Sequence, residues 1–155
     1  MIKRILLIGG AIAIAAIVYL FVFNRHEEAP MLSGSGSFKV SSSAFADGAA
    51  IPVNYARTGI IGGINISLPL TWSDAPAETK SYVVLMVDRH RIADDRVHWA
   101  VINIPADITS LPSDASGTDE MPTGSIELDN SFGESGYGGP QPPRGSGSHE
   151  YEIAG

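Results

Sequence analysis

The hydrophobic pattern begins with an uninterrupted apolar run over residues 5–23, which directly follows two cations, Lys3 and Arg4. At about 1.5 Å per residue this run is long enough to cross most of a bilayer core of about 30 Å. The flanking cations favour a cytoplasmic N-terminus. Because no small residues of the A-x-A kind end the run, we expect residues 1–25 to form an uncleaved transmembrane anchor rather than a cleaved signal sequence.

Polar residues then dominate up to position 37, where the chain reads S-G-S-G-S. Serine and glycine in this proportion are typical of a flexible linker, which we place at residues 26–37. Apolar residues return at Phe38, so we expect a folded domain over residues 38–155. Together with the anchor, this arrangement predicts a single-pass protein of the cell membrane whose domain lies on the extracytoplasmic side.

Beyond position 38 the apolar residues come in short alternating or β-branched runs separated by Gly, Pro, Asp and Ser. Such runs predict β-strands, and a continuous run such as residues 81–87 predicts a strand that is buried on both faces. Residues 106–136 lack periodicity and predict a long excursion over the surface. The fold class is therefore mainly β, with predicted strands at residues 38–40, 51–55, 64–72, 81–87, 97–105 and 149–153.

Composition excludes several kinds of function. The chain has no cysteine, so it has no disulfide framework, no cysteine-based zinc site, no cysteine nucleophile and no lipidated cysteine. Beyond the three basic residues of the N-terminal region, seventeen acidic residues face seven basic ones. A polyanion requires a basic surface, so this balance argues against a nucleic-acid partner.

Candidate chemistry is concentrated in residues 137–151, which read Y-G-G-P-Q-P-P-R-G-S-G-S-H-E-Y. Glycines such as Gly138 and Gly139 leave the backbone bare, and the prolines restrict its shape, so successive N–H groups could converge on an anion. The alternation that follows places His149 and Tyr151 on one face of the last strand. Here we expect an imidazole and a phenol at the site.

A second polar pair lies at the junction of two predicted strands. Asp88 ends the run at residues 81–87, and His98 begins the run at residues 97–105. Only a short charged loop separates the runs, so neighbouring strands would bring both side chains to the same end of a sheet. We therefore expect Asp88 and His98 to belong to one site with the glycine- and proline-rich loop.

These stretches resemble the phosphatidylethanolamine-binding protein (PEBP) family, in particular its prokaryotic, Raf-kinase-inhibitor-like branch. The resemblance runs in the family's order through S-A-F-A-D-G-A-A-I-P, N-I-S-L-P-L-T-W, V-D, V-H-W-A-V-I-N-I-P-A and the loop at residues 137–151. It implies a β-sandwich with a small pocket for phosphate-type anions, including phospholipid head groups. It also implies regulation of an unidentified protein target, since well-known members act on kinases or proteases.

Carried over by position, the resemblance implies a binding site that contains two family motifs. Asp88 looks like the acid of the first motif, and His98 looks like the pocket histidine. The second motif supplies the remaining ligand-binding candidates, which are Gly139, Pro143, His149 and Tyr151.

Three positions depart from the family pattern. His90 stands where the second acid of Asp-Pro-Asp is usual, so the loop after Asp88 is expected to be reshaped. Glu150 stands where a cation is usual, which lowers the positive potential of the site. The sequence ends at Gly155, where relatives continue into a further strand and usually a helix, so we expect an exposed sheet edge at the last strand.

Alternatives of other classes remain open at this point. The domain could be a structural or protein-interaction module with a vestigial pocket. A hydrolase could use His98 and Asp88 with Ser146 or Ser148, but the chain lacks a G-x-S-x-G elbow, and we expect no enzyme. A metal site from His90, His98, His149 and Asp88 has suitable ligand types without the usual spacing, so we expect neither metal nor cofactor.

Overall fold

The computed structural model describes residues 38–155, and these form two antiparallel sheets. The first sheet has the order β1-β2-β5, and the second has the order β6-β4-β3-β7. A short 3-10 helix, Val53–Tyr55, is the one helical element of this part of the chain. The strands are β1 (Lys39–Ser41), β2 (Leu70–Ser73), β3 (Ser81–Asp88), β4 (Arg96–Pro105), β5 (Ser110–Leu111), β6 (Ile126–Glu127) and β7 (Tyr151–Ala154).

One hydrophobic core lies between the two sheets, because strands of both contribute buried side chains to it. Leu70 and Trp72 come from the first sheet, and Met86, Trp99 and Val101 come from the second. Polar groups in the core are satisfied, since the Trp72 indole donates to the Ile108 carbonyl and the Trp99 indole to Glu127. A mainly β sandwich is therefore confirmed for the described residues.

The pairing of β3 with β4 contains an irregularity at His98. Met86 lies opposite Trp99 and Val87 lies opposite Val97, so His98 is an extra residue without a partner in β3. An extra residue of this kind is a β-bulge, which bends the strand and re-aims the side chain. As a result His98 and Trp99 are adjacent in sequence and are both buried.

Three strand predictions need correction. Residues 51–55 include the helix Val53–Tyr55 rather than a strand, since the Tyr55 N–H turns back to the Pro52 carbonyl. Of residues 64–72 only the last three lie in β2. The first half of β3 is not buried on both faces, because Val83 is 43% exposed. The other predicted strands are confirmed, although β7 begins at Tyr151 rather than at His149.

The excursion over residues 106–136 contains the short strands β5 and β6, and it is anchored to the core rather than lying loosely on the surface. Leu111 and Ala115 are almost fully buried within it. None of the helices in residues 38–155 is long and apolar enough to cross a membrane. The predicted anchor at residues 1–25 and the predicted linker at residues 26–37 lie outside the described residues.

Candidate functional site

The site begins at the end of β3, a central strand of the second sheet. Asp88 lies opposite Arg96 of β4 and opposite Tyr151 of β7, so three neighbouring strands deliver side chains to the same place. Asp88 is only 3% exposed. A buried carboxylate requires partners, and their identity determines the chemistry of the site.

His149 is the main partner of Asp88. Its Nδ1 lies 2.6 Å from Asp88 Oδ2, and the two side chains are 2% and 5% exposed. The second carboxylate oxygen, Oδ1, accepts the backbone N–H of His90 at 2.9 Å. The hydrolase alternative had paired Asp88 with His98, whereas the carboxylate contacts His149 instead.

Ser146 completes a chain of three side chains whose connectivity is that of a hydrolase triad. Its Oγ lies 2.9 Å from His149 Nε2. However, the hydroxyl has a single proton, which it donates to the Pro143 carbonyl at 2.7 Å. His149 Nε2 must then be the donor to Ser146 Oγ. A nucleophilic serine needs the opposite arrangement, with its proton directed at the histidine.

His98 lies deeper in the site and is 1% exposed. Its Nδ1 is 2.5 Å from the Gly138 carbonyl oxygen, which can only accept, so Nδ1 carries a proton. Its Nε2 is buried and has no hydrogen-bond partner among the described residues. Burial lowers the pKa of His98 from its ordinary value, by more than the Gly138 carbonyl and the nearby Asp88 raise it.

Tyr151 provides the second unsatisfied atom. Its ring lies edge-on to His98, with ring centroids 5.2 Å apart. The buried hydroxyl has no partner within residues 38–155 that meets the geometry of a hydrogen bond. Burial, then the negative charge and the side-chain proximity of the Asp88 carboxylate, raise the pKa of Tyr151 well above its ordinary range, so the phenol keeps its proton.

The loop glycines do not form the anion nest that the sequence predicted. The Gly138 N–H donates to the His98 carbonyl, and the Gly139 N–H donates to Asn65 Oδ1 at 2.8 Å. Both amides are therefore occupied within the protein. Gly139 instead permits close packing, since a Cβ at that position would overlap the Tyr55 carbonyl oxygen. Pro143 acts through its carbonyl, which holds Ser146.

Sequence reasoning missed three contributors to the site, which are Asn65, Phe132 and Arg57. Asn65 positions the loop from a distant part of the chain, through Gly139 and the Tyr137 carbonyl. Phe132 lies edge-on to His98, and the Arg57 guanidinium stacks over its ring at 4.1 Å. His90 stacks on His149 with ring centroids 4.0 Å apart, so it is closer to the site than its departure from the family pattern suggested. No local sequence signal marks these contacts.

A groove of about 860 Å³ runs beside the site. His149 and Tyr151 line it together with residues 40–42 and 45–51. Asp88 and His98 do not line this groove, so they lie deeper in the protein than His149 and Tyr151. In the part of the chain that the structure describes, no group of three or more His, Asp or Glu side chains could hold a metal ion.

The fold and the site together define a β-sandwich domain with a small polar binding site at one end of its second sheet. A family model described as phosphatidylethanolamine-binding protein matches residues 41–154. The chain belongs to the phosphatidylethanolamine-binding protein family, so the resemblance seen in the sequence is confirmed.

Individual relatives agree with this assignment. The UPF0098 protein YbcL of Escherichia coli is 37% identical over 123 residues, which cover 77% of this chain and 67% of YbcL. YbhB, also from E. coli, is 39% identical over 116 residues, covering 73% of each chain. The crystal structure of YbcL has a TM-score of 0.69 and covers 75% of this chain and 73% of that one, at 38% identity. A PEBP homologue from Chlamydia trachomatis has a TM-score of 0.61 at 31% identity, covering 77% and 73%.

The neutral, buried state of His98 leads to a prediction about acid stability. Because the folded protein lowers the pKa of His98, the unfolded chain binds the proton more readily, and stability is lost as pH falls below about 6.5. His98→Asn keeps a donor for the Gly138 carbonyl but does not titrate. Urea unfolding at pH 7.5 and pH 5 should therefore show a smaller acid loss in His98→Asn than in the wild type. An equal loss in both proteins would contradict the assignment.

Proposed function

We propose that this chain is a membrane-tethered binding module for a small phosphate-type anion or a phospholipid head group. The observation that supports the proposal is the pair of buried polar atoms without partners, His98 Nε2 and the Tyr151 hydroxyl. Leaving such an atom unsatisfied costs about 1–3 kcal/mol, so a fold that contains two of them gains when a ligand or water completes them. Membership of the phosphatidylethanolamine-binding protein family also supports the proposal, because the site residues lie in the stretches that resemble the family's motifs.

The tether and the location belong to the same proposal. We propose that the apolar run at residues 5–23 anchors the chain in the cell membrane and that the domain lies on the extracytoplasmic side. The two cations before the run support this orientation. A domain held there would meet head groups and phosphate esters at the membrane surface, and its ligand state could regulate a protein target such as a kinase or a protease.

We further propose that the chain is not a hydrolase. Ser146 is the only serine that contacts a site histidine among the described residues, and its proton is directed to Pro143 rather than to His149. The vestigial-pocket alternative is tested by the experiment below, because it predicts no binding.

The Tyr151 hydroxyl gives the most direct test. Its hydroxyl meets no hydrogen-bond geometry within the described protein, although Asp88 is close enough to act on it, so Tyr151→Phe should change the free energy of unfolding by no more than about 1 kcal/mol. The same change should weaken binding of phosphate or phosphoethanolamine about tenfold, since it removes a hydrogen bond to the ligand. Calorimetric titration of the full chain in detergent micelles, together with urea unfolding, measures both effects.

Tyr82→Phe is the matched control, because Tyr82 lies in a separate aromatic cluster with Phe38 and Trp72. It should not affect ligand affinity. Binding of neither ligand by the wild type in the millimolar range would favour the vestigial pocket. Equal affinities of wild type and Tyr151→Phe would show that any ligand binds elsewhere.

A further inference from the structure

We propose, on the basis of the binding function proposed above, that the site selects an oxyanion that carries its own proton. Free phosphate and phosphomonoesters such as phosphoethanolamine belong to this class, whereas sulfate and phosphodiesters, including intact phospholipids, do not. Of the ligands proposed above, only the free phosphate-type anions and the released head groups therefore qualify. The geometry that points to this class is the hydrogen-bond arrangement of His98, whose Nδ1 donates to the Gly138 carbonyl and whose Nε2 is left without a partner.

His98 carries a single ring proton, and Gly138 determines which nitrogen holds it. A carbonyl oxygen cannot donate, so the proton between His98 and Gly138 belongs to Nδ1. A neutral imidazole has only one ring proton, and burial favours the neutral form here. Nε2 therefore presents a lone pair, and the group that completes it must donate a hydrogen bond. A fully deprotonated oxyanion has no donor to offer.

The charges around the site point the same way. Asp88 at the end of β3 is negative, and its influence reaches both His98 and the Tyr151 hydroxyl. His149 Nδ1 already contacts Asp88 Oδ2 at 2.6 Å, so this ring is engaged within the site. A ligand with two negative charges would face Asp88 without a new donor at His98, whereas a singly protonated ligand has a smaller charge and supplies the donor itself.

The surrounding cations are held by other groups. The Arg89 guanidinium bonds to Asp95 and Glu152. Arg57 forms an ion pair with Glu134 at 2.8 Å. Arg96 of β4 lies over the Phe132 ring and donates to the Ser131 carbonyl. The His90 ring stacks on His149. None of these described groups places a donor on His98 Nε2.

The Tyr151 hydroxyl can serve the same ligand from the other side, because a phenol both donates and accepts. One ligand oxygen that carries a proton would donate to His98, and a second, unprotonated oxygen would accept from Tyr151. An oxyanion with a single proton matches this pair. At pH 6 a phosphomonoester is about half in this form, since its second pKa is about 6.

The test compares oxyanions of similar size that differ in the proton. The full chain in detergent micelles is titrated by calorimetry at pH 6, in a buffer free of phosphate and sulfate. The four probes are inorganic phosphate, methyl phosphate, sulfate and dimethyl phosphate. We expect the first two to bind at least tenfold more tightly than the last two, because each of the last two leaves the His98 lone pair unpaired.

The possible outcomes are distinct. If sulfate and dimethyl phosphate bind as tightly as phosphate, His98 takes its proton from solvent, which overturns this inference and leaves the proposed binding function intact. If glycerophosphoethanolamine binds and dimethyl phosphate does not, the donor is an ammonium group, which also overturns it. Failure of all probes would overturn both proposals. His98→Gln, whose amide can either donate or accept, should lose the preference for the protonated ligands.

Discussion

Asp88→Ala is expected to destabilise the domain by about 3–5 kcal/mol, because it removes the carboxylate from a buried, hydrogen-bonded pair with His149. The carboxylate accepts from His149 at 2.6 Å and from the His90 backbone at 2.9 Å, and the substitution leaves both donors buried without an acceptor. Urea denaturation of the full chain in micelles, followed by circular dichroism, measures the loss. A change below about 1 kcal/mol would show that the pair contributes little.

Two controls separate the ion pair from a general loss of charge. Lys39→Ala removes one member of an exposed pair with Asp74, where the lysine side chain is 74% exposed, and should cost less than about 0.5 kcal/mol. The double variant Asp88→Ala/His149→Ala removes both members of the buried pair. It should be less destabilised than the sum of the two single variants, because neither partner is left alone.

The sequence alone was sufficient to predict the strands whose apolar pattern is long and regular. β3 and β4 were predicted nearly in full, and the placement of Asp88 and His98 at one end of the sheet followed from the short loop between them. The alternation at the end of the chain also predicted that His149 and Tyr151 share one side, and both line the groove, although His149 precedes β7. These features depend on local patterns, which a single sequence displays.

The remaining features depend on contacts between distant residues. The bulge at His98 is visible only in the pairing of β3 with β4, because the sequence around it alternates no differently from an ordinary strand. The pairing of Asp88 with His149 rather than His98 joins positions 61 residues apart. The loop amides were predicted to be free, but Asn65, 74 residues from Gly139, occupies one of them.

The second large loss of stability is expected at Gly139, whose packing also depends on residues that are distant in the sequence. A Cβ on this residue would overlap the Tyr55 carbonyl oxygen and would lie 3.0 Å from the Arg57 nitrogen, and both of these are backbone atoms that cannot rotate away. Gly139→Ala should therefore push the loop off Asn65 and cost about 2–4 kcal/mol, the sum of overpacking and a lost hydrogen bond.

Gly145→Ala is the matched control from the same loop, since no atom lies within 4 Å of its Cβ position and only its φ of 80° opposes the substitution. That strain is worth about 1–2 kcal/mol. Urea unfolding of both variants measures the difference, and Gly139→Ala should also weaken phosphate binding, because the neighbouring Gly138 carbonyl orients His98. A Gly139→Ala protein no less stable than Gly145→Ala would contradict the close packing of this loop against Tyr55.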